Sequence, residues 1–165
     1  MNDKNFAVKV ANMSHLDQVM SLAMLSLKET GIFEVNEQKV YKTVYSALNK
    51  QSGICGIAMG DDGSAQGFVL LDISETWYST YNVLIEREVF VHPDFRGSKG
   101  GRARSLCEFA KKIADSLSIP LYVGLESKDK AEAKVRLYER QFGKSTGSFF
   151  LYGADHSKPN DAVEH

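Results

Sequence analysis

The sequence predicts a mixed α/β fold in which one sheet is covered by helices on both faces. Its 165 residues match the usual size of one domain. Apolar periodicity predicts the element order β α α β β β α β α β. Because the middle strands follow one another directly and the later ones alternate with helices, the sheet should combine hairpins with crossovers. We expect one domain over residues 1–154 and a polar, disordered tail over 155–165.

The N-terminal part of the chain predicts one strand and two helices. Phe6–Val10 is a short apolar strand. Ser14 is placed to cap a helix, and Asp17, at the third helical position, can make the reciprocal capping hydrogen bond. Closely spaced apolar residues then continue the helix to about Thr30-Gly31. Asn36 opens a second helix that ends near Asn49 and has a narrower apolar stripe.

The middle of the chain predicts three consecutive strands. Gly53–Met59 and Gly67–Ile73 flank Gly60-Asp-Asp-Gly63, and Asp-Gly between apolar runs favours a hairpin turn. After an aromatic loop, Val83–Val91 alternates as a strand does, and Pro93 ends it.

The C-terminal part returns to alternating helices and strands. A basic, Gly-rich segment begins at Arg96 and continues as a helix, in which apolar residues recur at helical spacing up to Leu117. The strand Leu121–Leu125 follows Pro120, Lys130–Gln141 is a further helix, and Ser148–Tyr152 is a last strand.

Charge and cysteine content exclude several classes of protein. Twenty Lys and Arg against 21 Asp and Glu give a net charge of −1, which argues against a surface that binds polyanions throughout. Cys55 and Cys107 lie in apolar surroundings without a partner at short spacing, so we expect neither a disulfide framework nor a zinc site. No apolar run approaches the roughly 20 residues that span a bilayer, and the N-terminus does not resemble a signal peptide. We therefore expect a cytoplasmic protein without a membrane partner.

The segment from Val89 to Arg102 is the most informative part of the sequence. It runs from a strand through a Gly-rich turn into a helix, an arrangement that suits anion binding by unpaired backbone N–H groups. Residues 95–112 contain six basic residues and one acidic residue, a local charge of +5. The spacing matches neither a P-loop nor a dinucleotide fingerprint. A helix start with a solvated basic face remains an equal alternative on composition alone.

Two motifs in order carry a resemblance to a known family. Val91-His-Pro-Asp-Phe-Arg96-Gly97-Ser-Lys-Gly-Gly101 resembles the acetyl-CoA-binding motif of the GNAT superfamily of N-acetyltransferases, in a loop variant similar to that of some phage and bacterial members. Leu121–Leu125 resembles the family's splayed strand, and Val135–Arg140 its LYE(K/R) helix. Three positions depart from the family pattern: Lys99 replaces a glycine, Ala131 lies nearest to where an asparagine is frequent, and Phe142-Gly143 replaces Gly-Phe.

The resemblance implies a fold, a cofactor and a reaction. The fold would be a GNAT-like, mostly antiparallel sheet with splayed middle strands. Acetyl-CoA would donate an acetyl group directly to a primary amine, without a metal. Backbone amides of the turn would hold the pyrophosphate of coenzyme A, and Phe90 and Val91 would pair with its pantetheine arm. The turn comprises Arg96, Gly97, Ser98, Lys99, Gly100, Gly101, Arg102 and Ala103.

The resemblance also implies catalytic residues. Strand periodicity places Glu86, Glu88 and Phe90 on one face, and Val83, Ile85, Val89 and Val91 on the other. Glu88 fills the position of the family's glutamate and is the expected general base, with Glu86 as the reserve. Tyr138 matches the frequent general acid toward the thiolate. The alternatives are a charged exposed strand face for the glutamates and a packed core aromatic for Tyr138.

The acceptor and the partners stay open at this level. Trp77, Tyr78 and Tyr81 line the acceptor site or, equally, cover the edge of the sheet. A CoA-binding or regulatory protein without turnover is the alternative function. A nucleic-acid module built on Arg96–Lys112 is disfavoured because aromatic residues do not interleave the basic ones. The family's frequent pairing makes a homodimer one state to test.

Overall fold

The fold is a five-stranded sheet flanked by four helices, seen in a computed structural model that describes residues 7–97, 101–126 and 131–153. The strands are β1 (Val8–Val10), β2 (Gly53–Met59), β3 (Ala65–Thr76), β4 (Ser79–Val91) and β5 (Leu121–Tyr122). The helices are α1 (Leu16–Thr30), α2 (Glu37–Leu48), α3 (Arg102–Leu117) and α4 (Ala131–Phe142), with short 3-10 turns at Met13–His15 and Pro93–Phe95.

The strands lie in the sheet in the order in which they occur along the chain, β1-β2-β3-β4-β5. The first four are antiparallel neighbours, and β5 is parallel to β4. The β4–β5 pairing is limited to Leu84 with Leu121 and Ile85 with Tyr122. Among the described residues, the edge of β4 beyond Ile85 therefore has no strand beside it.

Two apolar layers cover the sheet, as the sequence predicts. α1 and α2 pack on one face through residues that include Val19, Leu22, Val44 and Leu48, together with Ile57, Phe68 and Phe90 of the strands. α3 packs on the other face through Leu106 and Ala110, together with Val69, Leu71, Leu84, Val89 and Val91. Burial of these large side chains supplies the main driving force for folding.

The helix starts partly confirm the sequence prediction. The Oδ1 of Asn36 accepts a hydrogen bond from the Lys39 N–H at 3.0 Å, which confirms Asn36 as the cap of α2. The predicted cap at Ser14 is wrong. Asn12 caps the 3-10 turn Met13–His15, because its Oδ1 accepts from the Ser14 N–H at 2.9 Å while His15 Nδ1 accepts from the Asn12 N–H. His15 is the residue before α1 and makes no side-chain cap hydrogen bond to that helix. A 3-10 turn thus precedes α1.

The two hairpins differ in how well the sequence predicts them. The β2–β3 turn at Gly60–Gly63 is confirmed, and Gly63 adopts the positive φ of 80° that the turn requires. The aromatic segment is not a loop. β3 and β4 extend to Thr76 and Ser79, so Trp77 and Tyr78 form the tip of a tight turn.

The C-terminal elements are shorter than predicted. Only Leu121–Tyr122 of the predicted strand pairs, and Ser148–Tyr152 is not a strand. Phe6, Ser98–Gly100, Lys130 and the tail from residue 155 lie outside the described residues. None of the described helices is long and apolar enough to cross a membrane.

Candidate active site

A β-bulge in β4 positions the two candidate carboxylates. Glu88 pairs with Leu70, whereas Glu86 pairs with the next residue of β3, Leu71. Arg87 is therefore an extra residue on β4. Its side chain turns outward and forms a 3.0 Å ion pair with Asp72.

The bulge overturns the predicted division of β4 into two faces for the residues before Arg87, whereas Val89 and Val91 lie opposite Phe90 as predicted. A strict period of two puts odd-numbered residues from Val83 to Val91 on one face. In the structure, Leu84 belongs to the same buried cluster as Val89 and Val91, because the extra residue shifts the alternation by one position. Phe90 packs in the opposite cluster, on the side of α1 and α2.

Glu86 and Tyr138 form a buried pair. The Tyr138 hydroxyl donates a hydrogen bond of 2.9 Å to Glu86 Oε2, which joins α4 to β4. Both residues are less than one tenth exposed. Burial raises the pKa of the Glu86 carboxyl to about 8, although the hydrogen bond from Tyr138 acts in the opposite direction. Burial, reinforced by the charge of Glu86, also raises the pKa of Tyr138, so its hydroxyl keeps its proton at neutral pH.

Glu88 has its own partner on the same helix. The Lys134 Nζ lies 3.2 Å from Glu88 Oε1, and the two side chains are 30% and 18% exposed. Lys134 precedes Tyr138 by one helical turn, so both side chains lie on one face of α4. Two contacts, Glu88–Lys134 and Glu86–Tyr138, therefore connect β4 with α4. We call these four residues the β4–α4 ladder.

A cavity of about 580 Å³ lies beside this ladder. Val89, Phe90 and Val91 of β4 form one wall, and the ladder residues Lys134 and Tyr138 form another. The remaining lining residues come from the end of α1, from both ends of the Gly-rich turn, from the segment after β5 and from α4: Ser26, Lys28, Glu29, Thr30, Arg96, Ala103, Glu126, Ala133 and Leu137. The cavity thus follows the β4 edge that lacks a strand neighbour.

The start of α3 closes one end of this cavity. Gly101 is the residue before the helix, has a φ of 58°, and leaves α3 without a side-chain cap. The first turn contains no acidic residue. Backbone N–H groups at such a helix start favour an anion. Because Ala103 in the first turn of α3 lines the cavity, an anion bound at this helix start would lie beside the cavity.

The arginines that flank the Gly-rich turn contact protein groups. Arg96 donates from Nε to the Val91 carbonyl at 2.8 Å and from Nη2 to Glu29 at 2.7 Å. Arg102 donates from Nε to Gln66 Oε1 at 2.7 Å. In this structure both guanidinium groups connect elements around the turn. Gly97 adopts a positive φ of 117°, and Ser98, Lys99 and Gly100 lie outside the described residues.

The cysteines and the aromatic residues of the β3–β4 turn, which the sequence also singled out, lie outside the lining of this cavity. Cys55 and Cys107 are buried and free, as predicted, and burial raises the pKa of each thiol to about 12. Trp77, Tyr78 and Tyr81 are exposed at the β3–β4 tip and do not line the cavity. The described residues contain no group of three or more His, Cys, Asp or Glu placed to hold a metal.

Sequence reasoning missed Lys134 and Glu29. A helical spacing of four residues before Tyr138 is the signal that places Lys134 on the cavity face. Glu29 carries no comparable signal, because its contact with Arg96 joins residues 67 positions apart.

Several solved structures with a similar fold bear the names of acetyltransferases. The aminoglycoside acetyltransferase AAC(6')-Iy, in complex with the bisubstrate analogue CoA-S-monomethyl-acetylneamine, has a TM-score of 0.69 and 16% identity, covering 88% of this chain and 95% of its own. A possible acetyltransferase from Clostridium difficile 630 has a TM-score of 0.68 and 19% identity, covering 91% and 98%. The ribosomal-protein-alanine N-acetyltransferase from Brucella melitensis biovar Abortus 2308 has a TM-score of 0.63 and 16% identity, covering 88% and 97%.

No protein-family model and no curated protein sequence matches the chain. At these identities the likeness to solved structures establishes a shared fold, over nearly the whole described chain.

Proposed function

We propose that this chain, which has the GNAT acetyltransferase fold, is an acetyl-CoA-dependent N-acetyltransferase that transfers the acetyl group directly to a primary amine. The observation that carries the proposal is the β4–α4 ladder beside the cavity. It brings a buried tyrosine hydroxyl and two carboxyl groups to the strand edge that lacks a neighbour among the described residues. The acceptor is a small molecule or a protein amine.

The cavity and the helix start supply a binding mode for coenzyme A. Backbone N–H groups from Gly101 to Ala103 would bind the pyrophosphate. The backbone of Phe90 and Val91 would pair with the pantetheine arm along the open edge of β4. When bound, acetyl-CoA supplies the activated acetyl group as a thioester.

Tyr138 is the proposed general acid. Its raised pKa keeps the hydroxyl protonated, and its place in the cavity wall allows it to protonate the departing sulfur. Glu86 orients this hydroxyl through the 2.9 Å hydrogen bond. Because the pKa of Glu86 is raised to about 8, its carboxyl holds a proton at neutral pH and can return it to Tyr138. We therefore propose that Glu86 orients and reprotonates Tyr138 and does not act as the general base toward the amine.

Glu88 is the proposed general base. It lies in the ladder beside Lys134, and its side chain is more accessible than that of Glu86. It would remove a proton from the acceptor ammonium, directly or through a water molecule. A backbone N–H near Phe90 or Val91 would polarise the carbonyl.

The test combines ligand binding with turnover. Acetyl-CoA should raise the melting temperature, because a ligand that binds only the native state stabilises it. Thiol release should then be measured against a panel of polyamines, aminosugars and peptides with free N-termini. Glu88→Gln and Tyr138→Phe should each lower kcat/KM about 100-fold or more while the shift with acetyl-CoA persists.

Matched controls separate catalysis from general damage. Glu139→Gln and Tyr41→Phe make the same two side-chain changes as Glu88→Gln and Tyr138→Phe, but at exposed positions. Both control variants should leave kcat/KM unchanged. If acetyl-CoA does not shift the melting temperature, the cofactor assignment is wrong. If acetyl-CoA binds but no amine causes thiol release, a CoA-binding regulatory protein would be favoured. The ion pair between Glu88 and Lys134 is also consistent with that alternative.

A further inference from the structure

Lys134 places a primary amine inside the candidate active site. Its Nζ lies 3.2 Å from Glu88 Oε1, and its side chain lines the cavity together with Tyr138. The proposed base therefore already contacts an ammonium group. The proposed acid lies one helical turn away on the same face of α4.

We propose that Lys134 is itself an acetyl acceptor, so that the protein acetylates its own α4 when no other amine occupies the cavity. This inference rests on the proposed function, because the acetyl donor is the acetyl-CoA assigned to the same cavity. It adds a modification site to that function.

The surroundings of the other lysines near the cavity distinguish Lys134. Lys28 lines the same cavity from α1, but within the described residues its side chain has no hydrogen bond or ion pair. The Lys111 Nζ donates to the Gln141 carbonyl at 3.1 Å and lies over the Phe142 ring. Lys134 alone among these three contacts a carboxylate of the ladder.

The reaction at Lys134 balances with the groups of the ladder. Glu88 takes one proton from the Lys134 ammonium, which leaves a neutral amine. An Nζ–C bond forms at the acetyl carbonyl, and the C–S bond of the thioester breaks. The sulfur takes a proton from Tyr138 and leaves as the free thiol. The second proton lost by Nζ passes to solvent, and Glu88 then releases its own proton to solvent. Glu86 reprotonates Tyr138 and regains a proton from solvent, so the net products are acetyl-lysine, coenzyme A and one proton.

Acetylation would change the charge inside the site. Acetyl-lysine is neutral, so Glu88 would lose the cation that contacts it, and the acetyl group would occupy part of the cavity. Modification would thus compete with turnover of added amines. A saturating acceptor should slow it for the same reason.

The main experiment incubates the full chain with acetyl-CoA and no added amine. Intact mass spectrometry should show the gain of one acetyl group, and peptide mapping should place it on Lys134. The rate per molecule should not depend on protein concentration, because the transfer is intramolecular. Lys134→Arg keeps a cation beside Glu88 and should reduce the amount of incorporated acetyl label at least ten-fold. Lys42→Arg, at an exposed position on α2 outside the cavity, should retain the label, and Tyr138→Phe should slow labelling at least ten-fold.

A second measurement tests the position of Lys134 without using turnover. A limiting amount of acetic anhydride acylates accessible lysines chemically. Bound coenzyme A should protect Lys134 several-fold from this reagent, whereas exposed Lys144 should react at an unchanged rate.

The outcomes separate this inference from the proposed function. If added amines are acetylated but Lys134 stays unmodified, the inference is overturned and the proposed function stands. A label spread over exposed lysines, insensitive to Tyr138→Phe, would also overturn it. If acetyl-CoA does not bind at all, both fall together.

Discussion

Arg96 and Glu29 join the end of β4 to the end of α1, and both side chains line the cavity. Arg96 Nη2 lies 2.7 Å from Glu29 Oε2, and the guanidinium also lies 5.0 Å from the centre of the Phe90 ring. The Nε of the same group donates to the Val91 carbonyl. A single side chain thus connects two elements that both line the cavity.

A double-mutant cycle should detect this connection. Arg96→Met and Glu29→Gln should be non-additive by about 0.5–1 kcal/mol in the free energy of unfolding, since the pair is partly exposed. The coupling should shrink at high salt because ions screen the pair. Urea unfolding of the two single variants, the double variant and the native protein measures it. Additive effects at low salt would show that the pair contributes nothing.

The Glu86 carboxyl should make stability depend on pH. Its pKa is about 8 in the folded protein against 4.5 for an unperturbed glutamate, so the folded protein holds its proton more tightly than the unfolded chain does. The stabilising contribution is full below pH 4.5 and is lost as the pH rises to about 8. Glu86→Gln should remove a slope of up to about 1.4 kcal/mol per pH unit in this window. Melting curves at several pH values measure it.

Glu139→Gln is the control for this slope, because Glu139 is exposed. Its stability profile should follow that of the native protein. Parallel profiles for Glu86→Gln and the native protein would mean that Glu86 is ionised in the fold, contrary to its burial.

Gly53 should tolerate no side chain. A Cβ at this position would lie 2.3 Å from the Leu71 carbonyl oxygen of the neighbouring strand, and backbone cannot yield as a side chain does. Gly53→Ala should cost at least about 2 kcal/mol in the free energy of unfolding. Gly147→Ala is the control: no heavy atom lies within 4 Å of its Cβ position. It should change stability by less than about 0.5 kcal/mol. Equal effects in urea unfolding would contradict the close approach of β2 and β3.

The Asn36 cap of α2 should contribute measurably to the free energy of unfolding. Asn36→Ala removes the acceptor for the Lys39 N–H and should cost about 1 kcal/mol, whereas Asn36→Asp keeps an acceptor and should cost much less. Chemical denaturation of both variants gives the comparison. A similar loss in the two would assign the effect to another contact of Asn36.

The sequence predicts those parts of the fold that local chemistry determines. Asn36 caps a helix and Gly63 supplies a positive φ, and both properties belong to a few neighbouring residues. Asn12 shows the limit of the same reasoning. Several polar residues near a helix start can serve as the cap, and the competition is decided by the 3-10 turn that places the Ser14 N–H against Asn12.

The site depends on features with no local signal. The bulge at Arg87 follows from how β4 pairs with β3, so counting residues along β4 alone assigns its faces wrongly. The contact of Lys134 with Glu88 depends on which strand α4 approaches, and the sequence does not reveal this. The sequence does predict Tyr138 and Glu86 as site residues, but only the fold shows that they contact each other.

The exposed tip between β3 and β4 gives the protein an unusual spectroscopic property. Trp77 is the only tryptophan in the chain, is 96% exposed, and has Tyr78 beside it with ring centres 5.6 Å apart. Its indole is in water in both the native and the unfolded protein, so fluorescence will change little on unfolding. A change in its emission on adding a ligand would therefore report a molecule docking at this tip and not a change in the core.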